Sequence, residues 1–235
     1  MLLYNYLKFR NNKGSLLIIL LFFSSLFARI PVILILGDVT LENEWSIMLY
    51  NLINHNTLSL QSFGEYLLPN LWLPPLYAYY LYLLSFFNFE NQNFVLLVLF
   101  SQAILASISI VIFYKLNKFF FSQKICAYSS LLFSFFPLYL YSSAQISSIS
   151  LTIFLAIFFY YFFFKIKKDK KYIDVLIYAF IGGLLILVRR EFIAIIILSS
   201  FYLFLFCKIS FKKILLIFLI TLVTISPYLM RNYII

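Results

Sequence analysis

Residues 71–88 read LWLPPLYAYYLYLLSFFN, and the side on which every later loop falls depends on whether they cross a membrane. The stretch is apolar, yet Pro74 and Pro75 stand near its start, where proline suits the first turn of a helix. Its tyrosines and Trp72 suit the headgroup level. Lys and Arg placement arbitrates, because cytoplasmic loops carry the excess. One cluster is Lys8, Arg10 and Lys13, and a second is Lys115, Lys118 and Lys124. A third is Lys165, Lys167, Lys168, Lys170 and Lys171, and the last is Lys208, Lys212 and Lys213. Together they hold 14 of the 18 basic residues. All four fall on one side only when residues 71–88 do not cross completely. The stretch is therefore predicted to be an interfacial or re-entrant helix on the outer face.

The membrane itself follows from composition. Of the 235 residues, 64% are hydrophobic and 11% are charged. A soluble domain of this size cannot hide so much apolar surface. Apolar runs predict spans at 15–37, 93–114, 126–142, 146–164, 172–189, 192–207 and 213–230, several of them near the lower limit of the roughly 20 residues a crossing needs. The predicted fold class is an all-α membrane protein with about seven transmembrane helices, N-terminus inside and C-terminus outside. Residues 1–235 form one module, and residues 38–92 form a long outer loop with interfacial helices. A signal peptide at residues 1–28 is the weaker alternative, because the apolar run is too long and lacks a clean cleavage pattern. The chain ends directly after an apolar span, so truncation at the C-terminus stays open.

The net charge of +10 would suggest nucleic acid on a soluble protein. Loop placement explains it here, and no nucleic-acid partner is expected. Cys126 and Cys207 lack metal-ligand spacing, and His55 has no Cys or His nearby. No cofactor is expected, and the sequence offers no support for a divalent metal.

The outer loop opens with GDVTLENEWSIMLYNLINHNTLSL, residues 37–60. It holds Asp38, Glu42 and Glu44, three of only eight acidic residues, and Glu65 and Glu90 follow with no Lys or Arg between them. Gly37 can break the first span, leaving Asp38 at the bilayer edge. Trp45, Met48, Leu49, Leu52 and Ile53 recur at helical spacing, predicting a helix over 42–54 that lies on the membrane, with Glu44 and Asn51 pointing elsewhere. A partly desolvated carboxylate there can serve as general base toward an acceptor hydroxyl or amine. The plain alternative is a solvated loop.

Arg189 and Arg190 sit at the outer end of IGGLLILVRREF, against the positive-inside trend. Such residues tend to be functional, and Arg binds phosphate through paired hydrogen bonds. They are candidates for a lipid-phosphate clamp, to which Arg231 can add; a tight turn with snorkelling side chains is the alternative. Gly182 and Gly183 on the same span permit close helix packing. Arg29, near Pro31 in the first span, is expected to snorkel outward or to pair with an acid.

In this order the elements resemble the N-terminal membrane module of GT-C glycosyltransferases, of the dolichyl-phosphate-mannose–protein mannosyltransferase and aminoarabinose-transferase type. GDVTLENEWSIMLYNLI is similar to the family's first outer loop, with an early Asp, an acidic-aromatic pair and an amphipathic helix. LWLPPLYAYYLYLL resembles its Pro-Pro-Leu element, and FFPLYLYSSAQISSISLTIFLAIF its Pro-containing span end and the short loop after it. YAFIGGLLILVRREFIAI and SPYLMRNYI resemble a Gly-rich span with an Arg and a Pro-aromatic-x-x-Arg-Asn element. One departure is that QISSIS, around Ser147 and Ser148, carries no carboxylate where family members often do.

The resemblance implies transfer of a sugar from a polyprenyl-phosphate carrier to a lipid, glycan or protein acceptor on the outer face of a bacterial inner membrane. It implies that Asp38 is the base, that Glu44 is the acidic-aromatic position, and that Arg189 is the span arginine. The expected partners are the polyprenyl-phosphate sugar, membrane lipids and, as an open candidate, a separate chain supplying the family's later spans. The leading rival is a non-catalytic membrane subunit or truncated remnant. A transporter or flippase is disfavoured by the lack of internal repeats.

Overall fold

The computed structural model describes residues 2–41, 43–63, 66–70, 73–87 and 91–234. Glu42, Glu65, Trp72 and Glu90, singled out above, lie outside the described residues. The protein is an integral membrane bundle of helices, with one small hairpin among the described residues. In order run α1 (Leu2–Leu36), α2 (Asn43–His55), β1 (Ser59–Phe63), β2 (Tyr66–Pro69), α3 (Leu76–Ser85) and α4 (Asn91–Asn117). Then come α5 (Gln123–Ser134), α6 (Pro137–Tyr141), α7 (Ile149–Asp169), α8 (Tyr172–Val188), α9 (Phe192–Leu205) and α10 (Phe211–Ile234).

Among the described residues four stretches are long and apolar enough to cross a membrane: Ser15–Leu36, Asn93–Asn117, Ile149–Asp169 and Phe211–Tyr233. Helices α8 and α9 are apolar but shorter, at 17 and 14 residues. The continuous helix expected over 126–142 is instead two, α5 and α6. The residue before a proline is pushed out of the helical region, and Phe136 accordingly sits at ψ 120° before Pro137.

Of the stretch 71–88, residues 73–87 are described, and they carry one short helix. Helix α3 has 10 residues and begins just after Pro75. At 1.5 Å per residue it spans about 15 Å, half of the roughly 30 Å apolar core of a bilayer. The antiparallel β1–β2 hairpin before it was not expected.

Glycines set two close approaches. Gly37 follows the end of α1 and donates its N–H to Ile33 O at 3.0 Å; a Cβ there would collide with that same carbonyl oxygen and come 3.0 Å from the Leu99 side chain. Gly183 lets α8 meet α10, since an added Cβ would lie 2.5 Å from Thr224 Cβ. The core around them is apolar and aromatic: Leu99, Leu155, Leu185 and Ile217 are fully or almost fully buried, and Phe159 stacks on Tyr178 at 4.3 Å.

The basic loops gather at the end of the bundle away from Gly37. Lys165 pairs with buried Asp174 at 2.7 Å. Lys213 donates to the Lys170 carbonyl and lies over Tyr172. Phe119 meets the rings of Tyr161 and Phe164.

Candidate active site at the acidic end of the bundle

Because α1 stops at Gly37, Asp38 emerges at the bundle's other end, and two hydrogen bonds fix it to the loop between α6 and α7. Its N–H donates to Ala144 O at 3.0 Å. Its Oδ2 accepts from Ile146 N–H at 2.7 Å. Oδ1 has no hydrogen-bond partner among the described residues. The carboxylate lines a cavity of about 530 Å³ together with Thr40, Glu44, Trp45, Gln145 and Ser147.

Glu44 and Trp45, in the first turn of α2, also line a second cavity of about 300 Å³. Its other walls are Leu73, Pro74 and Tyr77 from the α3 entry, Ser148, and Val188 to Glu191 between α8 and α9. Arg189 and Arg190 are therefore brought next to the Asp38 cavity, with Glu44 and Trp45 as the shared wall. Both arginines are exposed. Arg189 caps α8 in extended conformation, and its guanidinium makes no ion pair among the described residues. A third, more apolar groove of about 810 Å³ opens beside Thr40, between α2, α3 and α4. In α2, Met48, Leu49 and Leu52 are buried inside the protein against α3 and the hairpin entry rather than turned onto the membrane, whereas Ile53 is half exposed and lines this groove.

Two other arginines are placed differently from expectation. Arg231 donates to Leu58 O at 3.0 Å, Asn70 O at 3.3 Å and Asn232 Oδ1 at 3.2 Å, tying α10 to the hairpin rather than lining either cavity. Arg29 neither snorkels nor pairs with an acid among the described residues. It is fully buried, donates to Ser25 Oγ at 2.6 Å, and lies 4.8 Å over the Tyr139 ring. Its hydrogen bonds stay within α1, to Ser25, and the Tyr139 ring takes the place of an anion.

Sequence reasoning passed over the polar groups behind the site. Gln102, fully buried in α4, accepts from Tyr77 OH at 3.1 Å and donates to Gln145 O at 2.9 Å. An amide in the middle of an apolar span was the available signal, since such groups are costly unless bonded. Burial, then neighbouring Tyr80, then the charge of Asp38 push the Tyr77 phenol well above its usual range, so it stays a neutral donor. Tyr80, bonded to Ser101, is pushed up to about 12, chiefly by burial. Among the described residues no three His, Cys, Asp or Glu side chains come together to hold a metal.

The helical bundle thus presents a carboxylate and paired arginines in adjoining cavities at one end. The sequence profile described as dolichyl-phosphate-mannose-protein mannosyltransferase matches residues 73–230, more than half of the chain. The chain belongs to that glycosyltransferase family. The matched region includes Arg189 and Arg190; Asp38, Glu44 and Arg231 lie outside it. A search of curated proteins gives no match.

Proposed function

We propose that the chain moves a sugar from a polyprenyl-phosphate carrier to an acceptor on the outer face of a bacterial inner membrane, with inversion at the anomeric carbon. Asp38 takes the proton of the acceptor hydroxyl or amine through its open Oδ1. The acceptor then attacks the anomeric carbon as the bond to the phosphate oxygen breaks. Arg189 and Arg190 hold the departing lipid phosphate, whose charge grows as that bond lengthens. Glu44, on the shared wall, orients the transferred sugar between them. The apolar groove beside Thr40 offers a wall for a lipid chain.

One observation carries this reading: the Asp38 carboxylate is fixed by the Ile146 N–H, and its cavity shares Glu44 and Trp45 with the cavity of Arg189 and Arg190. The proposed topology has seven crossings: α1, α4, the broken α5–α6 pair, α7, α8, α9 and α10. It is supported by the gathering of basic loops at the end opposite Asp38. The test is incubation of membranes containing the chain, and of matched membranes without it, with polyprenyl-phosphate sugars carrying a labelled sugar. The expected product carries the label with inverted anomeric configuration. No chain-dependent product from any donor would favour a non-catalytic subunit.

A further inference from the structure

A single peptide group stands between Gln102 and the carboxylate. Gln102 Nε2 donates to the carbonyl oxygen of Gln145 at 2.9 Å, and the N–H of Ile146, on the other side of that same peptide unit, donates to Asp38 Oδ2 at 2.7 Å. Tyr77 OH donates to Gln102 Oε1 at 3.1 Å. Every donor in the series points toward Asp38, so each bond polarises the next and strengthens the last. Gln102 lies on a long helix, α4, with no exposed surface. A rigid helical mount therefore holds the carbonyl of a loop peptide whose neighbours are tied within the loop and to Asp38.

We infer that Gln102 is a positioning residue, an amide strut that orients the Gln145–Ile146 peptide so that it holds the Asp38 carboxylate with one oxygen facing the cavity. The series also joins the two cavities, since Tyr77 lines the arginine side and Gln145 the Asp38 side. The role of the strut in transfer rests on the function proposed above; its role in holding the loop does not.

The test pairs hydrogen exchange with kinetics on the full-length chain in detergent. In Gln102→Leu, of similar size but without donor or acceptor, the amides of residues 142–148 should exchange about tenfold faster. Its kcat should fall about 10- to 100-fold with donor KM nearly unchanged, the pattern of a misplaced group rather than a lost binding contact. Gln102→Glu should restore both. A buried carboxyl stays neutral, donates from its hydroxyl to Gln145 O, and accepts from Tyr77. Tyr77→Phe, which leaves the Gln102–Gln145 bond intact, should show a smaller loss. Loop exchange unchanged in Gln102→Leu, or equal defects in the Leu and Glu variants, would overturn the strut. Faster exchange in a protein whose wild type transfers no sugar would keep the strut and reject the enzymatic reading.

Discussion

Replacing Gly183 by alanine tests the packing that sets the position of α8, the helix ending at Arg189. The added Cβ would stand 2.5 Å from Thr224 Cβ and 2.7 Å from Thr224 Cγ2. Carbon atoms at rest in a packed interior lie about 3.5–4.0 Å apart, so α8 and α10 must separate by about 1 Å. The obstruction includes Cβ of a β-branched residue, which cannot rotate out of the way. Overpacking of this kind costs about 1–3 kcal/mol. The assay is equilibrium unfolding of purified protein in mixed detergent micelles for wild type, Gly183→Ala, Thr224→Gly and the double variant. Gly183→Ala should lose about 1–3 kcal/mol. Thr224→Gly should cost about 0.3–0.5 kcal/mol through helix propensity. The double variant should be more stable than the sum of the two losses implies, by about 1 kcal/mol or more. Strict additivity, or a neutral Gly183→Ala, would refute the close approach.

Arg189→Met should lower kcat/KM for a polyprenyl-phosphate sugar about 100-fold, because a donor to the developing phosphate charge is lost; steady-state transfer rates check this. Arg231→Met should leave donor KM unchanged and instead loosen the hairpin, read as faster proteolysis within residues 58–70. The raised Tyr77 value makes stability depend on pH at the alkaline end. Its contribution is full below the unfolded value of about 10 and is lost as pH rises toward the higher folded value. Unfolding measured at pH 9 and 11 should therefore show a smaller alkaline loss in Tyr77→Phe than in wild type.

Much of the bundle was legible because long apolar runs and Lys clusters report directly on what a bilayer tolerates. The stop at Gly37, the amphipathic α2, the short α3 after Pro75 and the tight contact at Gly183 all follow from local residue chemistry. The break at Phe136 was signalled by Pro137 but masked by the unbroken apolarity on both sides of it. The β1–β2 hairpin went unread because its strands are short and its supports are distant: Asn51 holds Ser59 O, and Arg231 holds Leu58 O and Asn70 O. At the site, Asp38, Glu44, Arg189 and Arg190 were visible as charges out of place in an apolar chain. Their juxtaposition was not, because it depends on how α1, α2, α7 and α8 close around one end. The same holds for Arg29, whose partner is an aromatic face on α6, and for Gln102, which acts through a backbone peptide that carries no sequence signature.

The proposed mechanism has the Asp38 carboxylate take the acceptor's proton. Its most direct test is transfer from a polyprenyl-phosphate sugar by membranes holding equal amounts of wild type, Asp38→Asn and Asp38→Glu. Asparagine keeps the shape and an oxygen to accept from Ile146 N–H but cannot take a proton. The expected result is a loss of about 100-fold or more in Asp38→Asn, with partial activity in Asp38→Glu. Wild-type transfer rates in Asp38→Asn would contradict this mechanism and return the carboxylate to a structural clasp between two loops.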